Sequence, residues 1–520
     1  MEVFELVVVL LLAGAALTAL SRRIGAPYPA MVALGGVVLA LVPGTPVLEL
    51  DPELALTLFV APVLLDAAFD ASPRDLWRHW RTVSGLAIGA VALTVALVAW
   101  VAHALVPTMS WPVAITLGAI VAPSDAAAAS AVLRQLRPPH HVLVILEGES
   151  LFNDASALLI YRVAVGVALA GTLTVSSVAP TFLLVTVGSA ALGIVLSRVV
   201  PPVIGVIRDV GIAVIVQFCM TFACWMLAER LHLSGILTVV VFAMSTARRV
   251  GPEIPARVRL PSFAIWELAV FVLNVLAFTF VGLQLRAILE RVDVPTLRTY
   301  AMVGAAVCLA TIAARIVWML LVAKLGRWRA AGASPSAGDP VALSPGAAAA
   351  VGWCGMRGIV TLAAALALPD AFPQRDLILF CSFAVVLGTL VVQGLTLRPL
   401  MGWLRLEDDG TVEKEVRFAR IEMLRAAVAT TNDAETNELS SLLRHRYELL
   451  LRRAEAESDM PAAERALDAS IARTAIRAER DKVIAMRNDG SIGDTAYQRV
   501  EQELDFEELG LERLAPVDEE

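Results

Sequence analysis

The sequence predicts an all-α polytopic membrane protein that ends in a helical tail. Of its 520 residues, 58% are hydrophobic and only 18% are charged, and the mean hydropathy is +0.73. Apolar runs of about 20 residues, enough for a helix to cross a bilayer, recur up to position 402. Beyond that point Glu, Asp, Arg and Ala dominate. We therefore predict a transmembrane domain over residues 1–402 and a separate tail over residues 403–520.

The apolar runs divide into thirteen predicted spans, of which the short ninth is the weakest. Their ranges are 3–20, 28–43, 53–71, 82–105, 111–133, 142–170, 179–200, 209–230, 233–247, 262–285, 299–323, 344–368 and 376–402. No basic segment precedes the first run, and its basic residues, Arg22 and Arg23, follow it. This order is typical of a retained first span and not of a cleaved signal peptide.

Basic residues mark one side of the membrane. Most of the arginines and lysines between spans fall in the odd-numbered loops, and few fall in the even-numbered loops. The positive-inside rule places the odd loops in the cytoplasm. With thirteen spans, the N-terminus is then outside and the C-terminus inside. The expected location is the plasma (inner) membrane, crossed many times, with a cytoplasmic tail.

The tail carries helical periodicity with dense charges of both signs. VRFARIEMLRAAVATT and NELSSLLRHRYELLLRRAEAE each predict one helix, and two more are expected around a turn at Asn488–Gly490. A regulatory or assembly role is the interpretation that we favour, and a solvated appendage is the alternative.

Two spans contain features that a lipid-facing helix avoids. Span 5, LGAIVAPSDAAAASAVLRQLRPP, has Pro123 beside Asp125, and span 12, AAAAVGWCGMRGIVTLAAALALP, has three glycines around Arg357. Proline removes a backbone donor and breaks the helix, which is tolerated only beside protein or a polar cavity. If spans 1–6 and 8–13 are repeats, spans 5 and 12 occupy equivalent positions. One of these numbers is odd and the other even, so the two spans cross the membrane in opposite directions and the repeats are inverted. Paired interrupted helices indicate a transporter's binding site; two unrelated packing irregularities are the alternative.

Span 6, within EGESLFNDASALLIYRVAV, carries a polar stripe that must face the protein interior. It consists of Glu149, Ser150, Asn153 and Asp154, at helical spacings. Asp154 and Asp125 are the central acids, whereas Asp66 lies nearer the cytoplasmic end of span 3. Carboxylate, hydroxyl and carbonyl oxygens favour a small hard cation.

Burial in a medium of low polarity disfavours a charged carboxylate. A proton and a cation would then compete for Asp154, which is sufficient for exchange. The alternative is a permanent ion pair of Asp154 with Arg162 or Arg315. For Glu149 we favour a structural bridge to Arg315, which would hold spans 6 and 11 in register.

These motifs resemble the sodium/proton exchangers of the first branch of the monovalent cation/proton antiporter superfamily, in particular the bacterial NhaP-like members. The segments that carry the resemblance are GAIVAPSDAAAASAVLRQL, ILEGESLFNDASALLIYRVAV, GWCGMRGIVTLAAALALP and VVQGLTLRPL. The resemblance covers about residues 3–402. It implies thirteen spans with a dimerisation domain, a mobile six-helix core and crossed, unwound helices in spans 5 and 12. It also implies a homodimer, elevator-like alternating access and electroneutral exchange of Na⁺ for H⁺. No enzymatic activity, cofactor or nucleic-acid partner is expected.

The resemblance also implies roles for individual residues. Na⁺ or the proton would be bound by Asp154, with Asp125, Ser124 and Ser150 completing the site and Asp66 standing where the family usually has Glu. The core would be stabilised by Asn153, Glu149, Arg315 and Arg357, the last by countering helix dipoles. The chain departs from the family's usual Thr–Asp–Pro at Ser124–Asp125–Ala126.

Three other functions remain open from the residues alone. The ligand set does not separate sodium, lithium and potassium, so a K⁺/H⁺ antiporter is the nearest alternative. A cation channel or a membrane sensor with a cytoplasmic tail is more remote. A membrane-embedded enzyme has little support, because the sequence contains no HExxH, serine-elbow or GxGD motif.

Overall fold

A computed structural model gives the architecture of the chain. It describes residues 2–43, 51–125, 128–130, 133, 136, 138–170, 175–253, 256–290, 294–331, 344–406, 410–432, 438–456, 462–489 and 491–512. Within these ranges all regular structure is helical. The chain divides into two compact units, residues 1–409 and 410–520.

The first half of the membrane unit contains nine α-helices and two π-helical turns within the described ranges. They are α1 (Glu2–Ile24), α2 (Tyr28–Ala40), α3 (Pro52–Ala55), π1 (Leu56–Val60), α4 (Ala61–Asp70), α5 (Pro73–Arg78), α6 (Trp80–Ser84), π2 (Gly85–Ala90), α7 (Val91–Leu105), α8 (Trp111–Val121) and α9 (His140–Ala170). The π-helical turns lie inside predicted spans 3 and 4.

The second half of the membrane unit is also a series of α-helices, with one π-helical turn among its described residues. Its described helices are α10 (Val175–Val206), α11 (Val210–Arg230), α12 (Gly235–Glu253), α13 (Ala256–Glu290), α14 (Val294–Ala331), α15 (Pro345–Trp353), α16 (Ile359–Leu366), α17 (Arg375–Gly388), π3 (Thr389–Gln393) and α18 (Gly394–Leu404). Side chains set several of the starts. Asp209 accepts a hydrogen bond from the Ile212 amide ahead of α11, and Ser344 accepts one from the Ala347 amide ahead of α15.

Eight helical stretches in the described ranges are long and apolar enough to cross a membrane. They are Val7–Ile24, Trp80–Leu105, His140–Leu169, Leu184–Val206, Val210–Arg230, Val258–Leu289, Pro295–Leu325 and Arg375–Leu404. Shorter apolar helices occupy Tyr28–Ala40, Trp111–Val121 and Gly235–Arg248. The all-α polytopic class predicted from the sequence is therefore confirmed, while the number of crossings stays a prediction.

Close helix packing explains two glycines of the membrane unit. Helices α2 and α13 form an extensive contact. A Cβ atom at Gly36 would lie 3.1 Å from the Gly282 Cα and even closer to the Thr279 carbonyl oxygen. Small residues let helix backbones approach where lipid provides no hydrophobic driving force. This contact fixes span 2 against span 10.

The tail unit consists of two helical hairpins. Helix α19 (Thr411–Asn432) packs with α20 (Glu438–Ala456), and α21 (Ala462–Asn488) packs with α22 (Asp494–Glu512). Arg425 pairs with Glu455 across the first hairpin at 2.8 Å, and Arg480 pairs with Asp505 across the second at 2.7 Å. The turn expected at Asn488–Gly490 falls between α21 and α22, although Gly490 itself lies outside the described residues.

Candidate functional site

The two interrupted spans meet at their breaks. Helix α8 ends at Val121, and residues 122–125, which include the helix-disfavouring Pro123, are not helical. Residues 354–358 between α15 and α16 are likewise not helical. The Asp125 amide donates a hydrogen bond of 2.8 Å to the Met356 carbonyl, which joins the two broken segments directly. Residues 126, 127, 131 and 132 of span 5 lie outside the described residues.

Arg357 lies inside this junction and is only 1% exposed. Its guanidinium donates to the carbonyls of Val121 at 2.9 Å and Ala122 at 3.5 Å, and also to that of Gly355. The last carbonyls of a helix have no intrahelical partner and carry the negative end of its dipole. Arg357 therefore satisfies the end of α8, while its own amide donates to Thr389 Oγ1 of π3 at 3.0 Å.

Ser124 connects the broken segment to α9. Its hydroxyl donates to Glu149 Oε1 at 3.0 Å and accepts from Asn153 Nδ2 at 2.8 Å. Its carbonyl accepts from Ser150 Oγ at 3.2 Å and from Asn153 Nδ2 at 3.4 Å. The polar stripe predicted on span 6 thus faces the break in span 5, and not lipid.

Glu149 and Arg315 form a buried ion pair. Their side chains are 2% and 3% exposed. The two guanidinium Nη atoms donate to the two carboxylate oxygens, with Nη2 at 2.6 Å from Oε2, and Nε donates to the Val351 carbonyl at 3.3 Å. This fork of donors is the geometry in which arginine binds a carboxylate most strongly. Arg315 of α14 therefore ties α9 to α15.

Asp154 is 4% exposed, and no hydrogen bond or ion pair to it is seen within the described ranges. Its carboxylate interacts electrostatically with those of Asp125 and Glu149. The neighbouring Asn153 Oδ1 is also buried without a hydrogen-bond partner among these residues. An ion pair with Arg315 is not formed, because that guanidinium is held by Glu149. Oxygen atoms with unused acceptor capacity are thus concentrated around Asp154.

The Asp125 carboxylate packs against Gly358, the residue that precedes α16. A Cβ atom added at Gly358 would lie 2.7 Å from the Asp125 Cγ and closer still to Oδ2. The close approach leaves no space for any side chain at this position. In the sequence Gly358 is one of the three glycines around Arg357, and its contact with Asp125 gives a reason for its identity that the sequence does not show.

A cavity of about 800 Å³ reaches the helix turn that carries Asp154. Ala155, Leu158 and Leu159 of α9 line it, and so do the charged residues Arg162, Glu229 and Arg230. Arg162, one candidate partner of Asp154, is thus an exposed residue of this cavity wall. The lining residue next to Asp154 in the sequence is Ala155.

Asp66 is placed in different surroundings from the other candidate residues. It is half-buried on α4 and lines a cavity of about 120 Å³ whose other walls come from α10 to α13. Its part in ion binding stays a prediction.

Two backbone carbonyls and a threonine that support the site could not be predicted from the sequence. The Val121 and Met356 carbonyls carry no sequence signal, because any residue presents one. Thr389 stands in an ordinary apolar run, LGTLVVQG, and it begins the π-helical turn from which its hydroxyl accepts from the Arg357 amide. Such turns occur frequently at functional sites, but their position follows from packing.

Known proteins are similar to this chain over most of its length. An uncharacterised Na⁺/H⁺ exchanger of Mycobacterium tuberculosis (strain H37Rv) is 30% identical over 550 aligned positions, covering 100% of this chain and 98% of the relative. A sodium, potassium, lithium and rubidium/H⁺ antiporter of Bacillus pumilus is 28% identical and covers 88% of this chain and 70% of its own length.

A solved structure shares the fold. The sodium proton antiporter MjNhaP1 from Methanocaldococcus jannaschii at pH 8 matches with a TM-score of 0.58 at 17% identity, over 78% of this chain and 98% of that chain. The family model for the transmembrane sodium/hydrogen exchangers matches residues 7–403. With the buried acids, the two joined helix breaks and this match over most of its length, the chain belongs to the sodium/hydrogen exchanger family of membrane transporters.

Proposed function

We propose that this protein exchanges a monovalent cation for a proton across the plasma membrane, with Asp154 binding either one in turn. One observation carries the proposal: Asp154 is 4% exposed and has no basic partner within the described residues, at the point where two helix breaks meet. A lone buried carboxylate is unfavourable unless a proton or a cation neutralises it. Competition between the two for one site couples their movements.

The cation would be held by oxygens of Asp154, Asp125, Ser124 and Ser150, which suit a hard ion such as Na⁺. The two hydrogen bonds at the Ser124 carbonyl already use both of its lone pairs, whereas the Ser124 hydroxyl donates once and accepts once and keeps one lone pair. The hydroxyl is therefore the better ligand of the two. Asn153, Glu149, Arg315 and Arg357 would hold this arrangement in place.

The transport cycle would be electroneutral, with one cation exchanged per proton, and would proceed by elevator-like alternating access in a homodimer with cytoplasmic tails. The cavity beside Ala155 supports an aqueous route to Asp154 from one side of the membrane. Burial of the charged cluster supports movement of the core as a body, because sliding single side chains out of it would expose unpaired charges.

A potassium/proton antiporter is the second candidate. The observation that favours it is the Bacillus pumilus relative, whose name includes sodium, potassium, lithium and rubidium. The oxygen ligands around Asp154 bind each of these ions by the same chemistry.

The test uses the purified full-length protein in liposomes that contain a pH-sensitive dye. A proton gradient is imposed, and sodium, lithium or potassium is added outside, with or without a valinomycin–potassium clamp of the membrane voltage. Dissipation that a cation triggers and that ignores voltage is the expected result, and it identifies the ion. Voltage-dependent dissipation would contradict electroneutral exchange and favour another stoichiometry or a channel.

Asp154→Asn is the decisive variant, because an amide cannot take up a proton or neutralise a cation. We expect it to abolish exchange while the protein still elutes as one symmetrical peak in size-exclusion chromatography. Asp370→Asn is the matched control, since the Asp370 side chain is fully exposed and pairs only loosely with Arg375 at 3.6 Å. Substantial exchange by Asp154→Asn would exclude the proposed role of this acid.

A further inference from the structure

Three buried hydrogen-bonding groups belong to residues around one cavity away from the Asp154 site. The cavity of about 120 Å³ is lined by residues from α4 and from α10 to α13. Thr246 Oγ1, Ser262 Oγ and Trp266 Nε1 all belong to residues that line it, and none has a hydrogen-bond partner among the described residues. These residues are 9%, 5% and 8% exposed. Buried polar groups are nearly always paired, so three together indicate a missing occupant.

Other hydroxyls of the membrane unit show how a hydroxyl is satisfied when no ligand is bound beside it. Thr221, in the same cavity wall, donates to the Gln217 carbonyl at 2.9 Å. Thr94 and Thr279 likewise donate to the carbonyl four residues earlier, both at 2.7 Å. Thr246 and Ser262 do not use this ordinary solution. Their hydroxyls therefore leave hydrogen-bonding capacity unused in the cavity wall.

The chemistry of the three groups selects the occupant. The Trp266 indole nitrogen can only donate, so the occupant must supply an acceptor, which a metal cation does not. Packing against Phe218, with ring centroids 4.2 Å apart and ring planes tilted by 32°, holds that indole in place. The rest of the wall is mainly apolar, including Phe69 and Phe242. Apolar walls with a few placed polar groups are typical of sites for amphiphilic organic ligands.

The position of the cavity indicates where such a ligand comes from. Phe263 lines the cavity and is 49% exposed, and Leu260 and Val203, beside other lining residues, are 54% and 52% exposed. In a membrane protein, exposed apolar side chains of this kind face lipid. The cavity therefore lies next to the bilayer, and its volume accepts part of a lipid while the acyl chains remain outside.

We propose that this cavity binds a phospholipid with a zwitterionic head, such as phosphatidylethanolamine, whose ester or phosphate oxygens accept hydrogen bonds from Thr246, Ser262 and Trp266. Asp66, Asp70 and Arg259 also line the cavity and provide charges of both signs, which suits a zwitterionic head better than an anionic one. The proposal does not rest on the exchange reaction.

The test measures lipid binding by the full-length protein in detergent. After delipidation, dioleoylphosphatidylethanolamine is titrated and bound lipid is counted by native mass spectrometry. The variants Thr246→Val, Ser262→Ala and Trp266→Phe each remove one donor with little change of shape, and Thr221→Val is the matched control. We expect one tight site per protomer, severalfold weaker binding in each single variant, at least tenfold weaker binding in the triple variant, and an unchanged affinity in the control.

Equal lipid affinity of the wild type and the donor variants would overturn the proposal. This is also the result expected if the cavity held only water. Tighter binding of dioleoylphosphatidylglycerol than of phosphatidylethanolamine would also overturn it, by excluding a zwitterionic head. If the triple variant does not fold, the three single variants against Thr221→Val give the same decision.

Discussion

Replacing Glu149 by Gln should destabilise the membrane unit strongly, because it leaves a buried guanidinium without its counter-charge. Both side chains of the pair are at most 3% exposed. Removing one member of a buried ion pair costs about 3–5 kcal/mol. The glutamine amide keeps one oxygen that can accept from Arg315, but its NH₂ group then faces the second Nη donor of that guanidinium. It also weakens the acceptor that Ser124 Oγ uses at 3.0 Å. We therefore expect the free energy of unfolding to fall by an amount in the upper part of that range.

The assay is thermal unfolding of the purified protein in detergent, followed with a thiol-reactive dye. Cys354 and Cys381 are buried and free, so they react only when the membrane unit opens. Glu5→Gln is the control, since this glutamate is exposed on α1. The double variant with Arg315→Gln should recover much of the lost stability, because no unpaired charge remains. A melting temperature of Glu149→Gln equal to that of the wild type would refute the bridge.

Three further changes test the surrounding structure. Gly358→Ala should reduce exchange more than tenfold, because the new methyl group displaces the Asp125 carboxylate, whereas Gly402→Ala, with open space around it, should leave transport rates unchanged. Ser124→Ala should raise the KM for sodium at least tenfold while Ser124→Thr keeps it near the wild-type value, since only the hydroxyl is required; equal KM values for both variants would contradict this. Burial and a neighbouring histidine hold the pKa of His79 below its ordinary value of 6.5, so the unfolded chain binds more protons and the free energy of unfolding should fall as pH drops through 6.5. In His79→Gln the melting temperature should decrease less between pH 8 and pH 5 than in the wild type. An unchanged pH dependence of the melting temperature would exclude a contribution of His79.

The residues of the candidate site could be found from the sequence because charges in apolar spans are expensive. Glu149, Asp154, Arg315 and Arg357 each interrupt a run that is otherwise fit for lipid. Such residues must face the protein interior, and opposite charges there must find one another. The bridge from Glu149 to Arg315 was predicted in this way, whereas the fold was needed to show which carbonyls the Arg357 guanidinium contacts at the end of α8.

Features that depend on backbone geometry could not be predicted in this way. The π-helical turn at Thr389–Gln393 has no distinctive composition, and it forms where tertiary packing shifts the hydrogen-bond register. Helices α13 and α14 extend beyond predicted spans 262–285 and 299–323, to Ala256–Glu290 and Val294–Ala331. A charged residue ends an apolar run without ending the helix. Hydropathy therefore predicts the bounds of the apolar segment but not those of the helix.

The charges of the buried cluster lead to the role of Asp154. Among the buried charged residues, Arg315 is neutralised by Glu149, and Arg357 is matched to the carbonyl dipoles at the end of α8. Asp154 is then left with the acid Asp125 beside it. A fixed arginine placed there would stabilise the fold but would permanently occupy the carboxylate. In the proposed exchange the missing positive charge is supplied by the proton or the transported cation, so the site is complete only when one of them is bound.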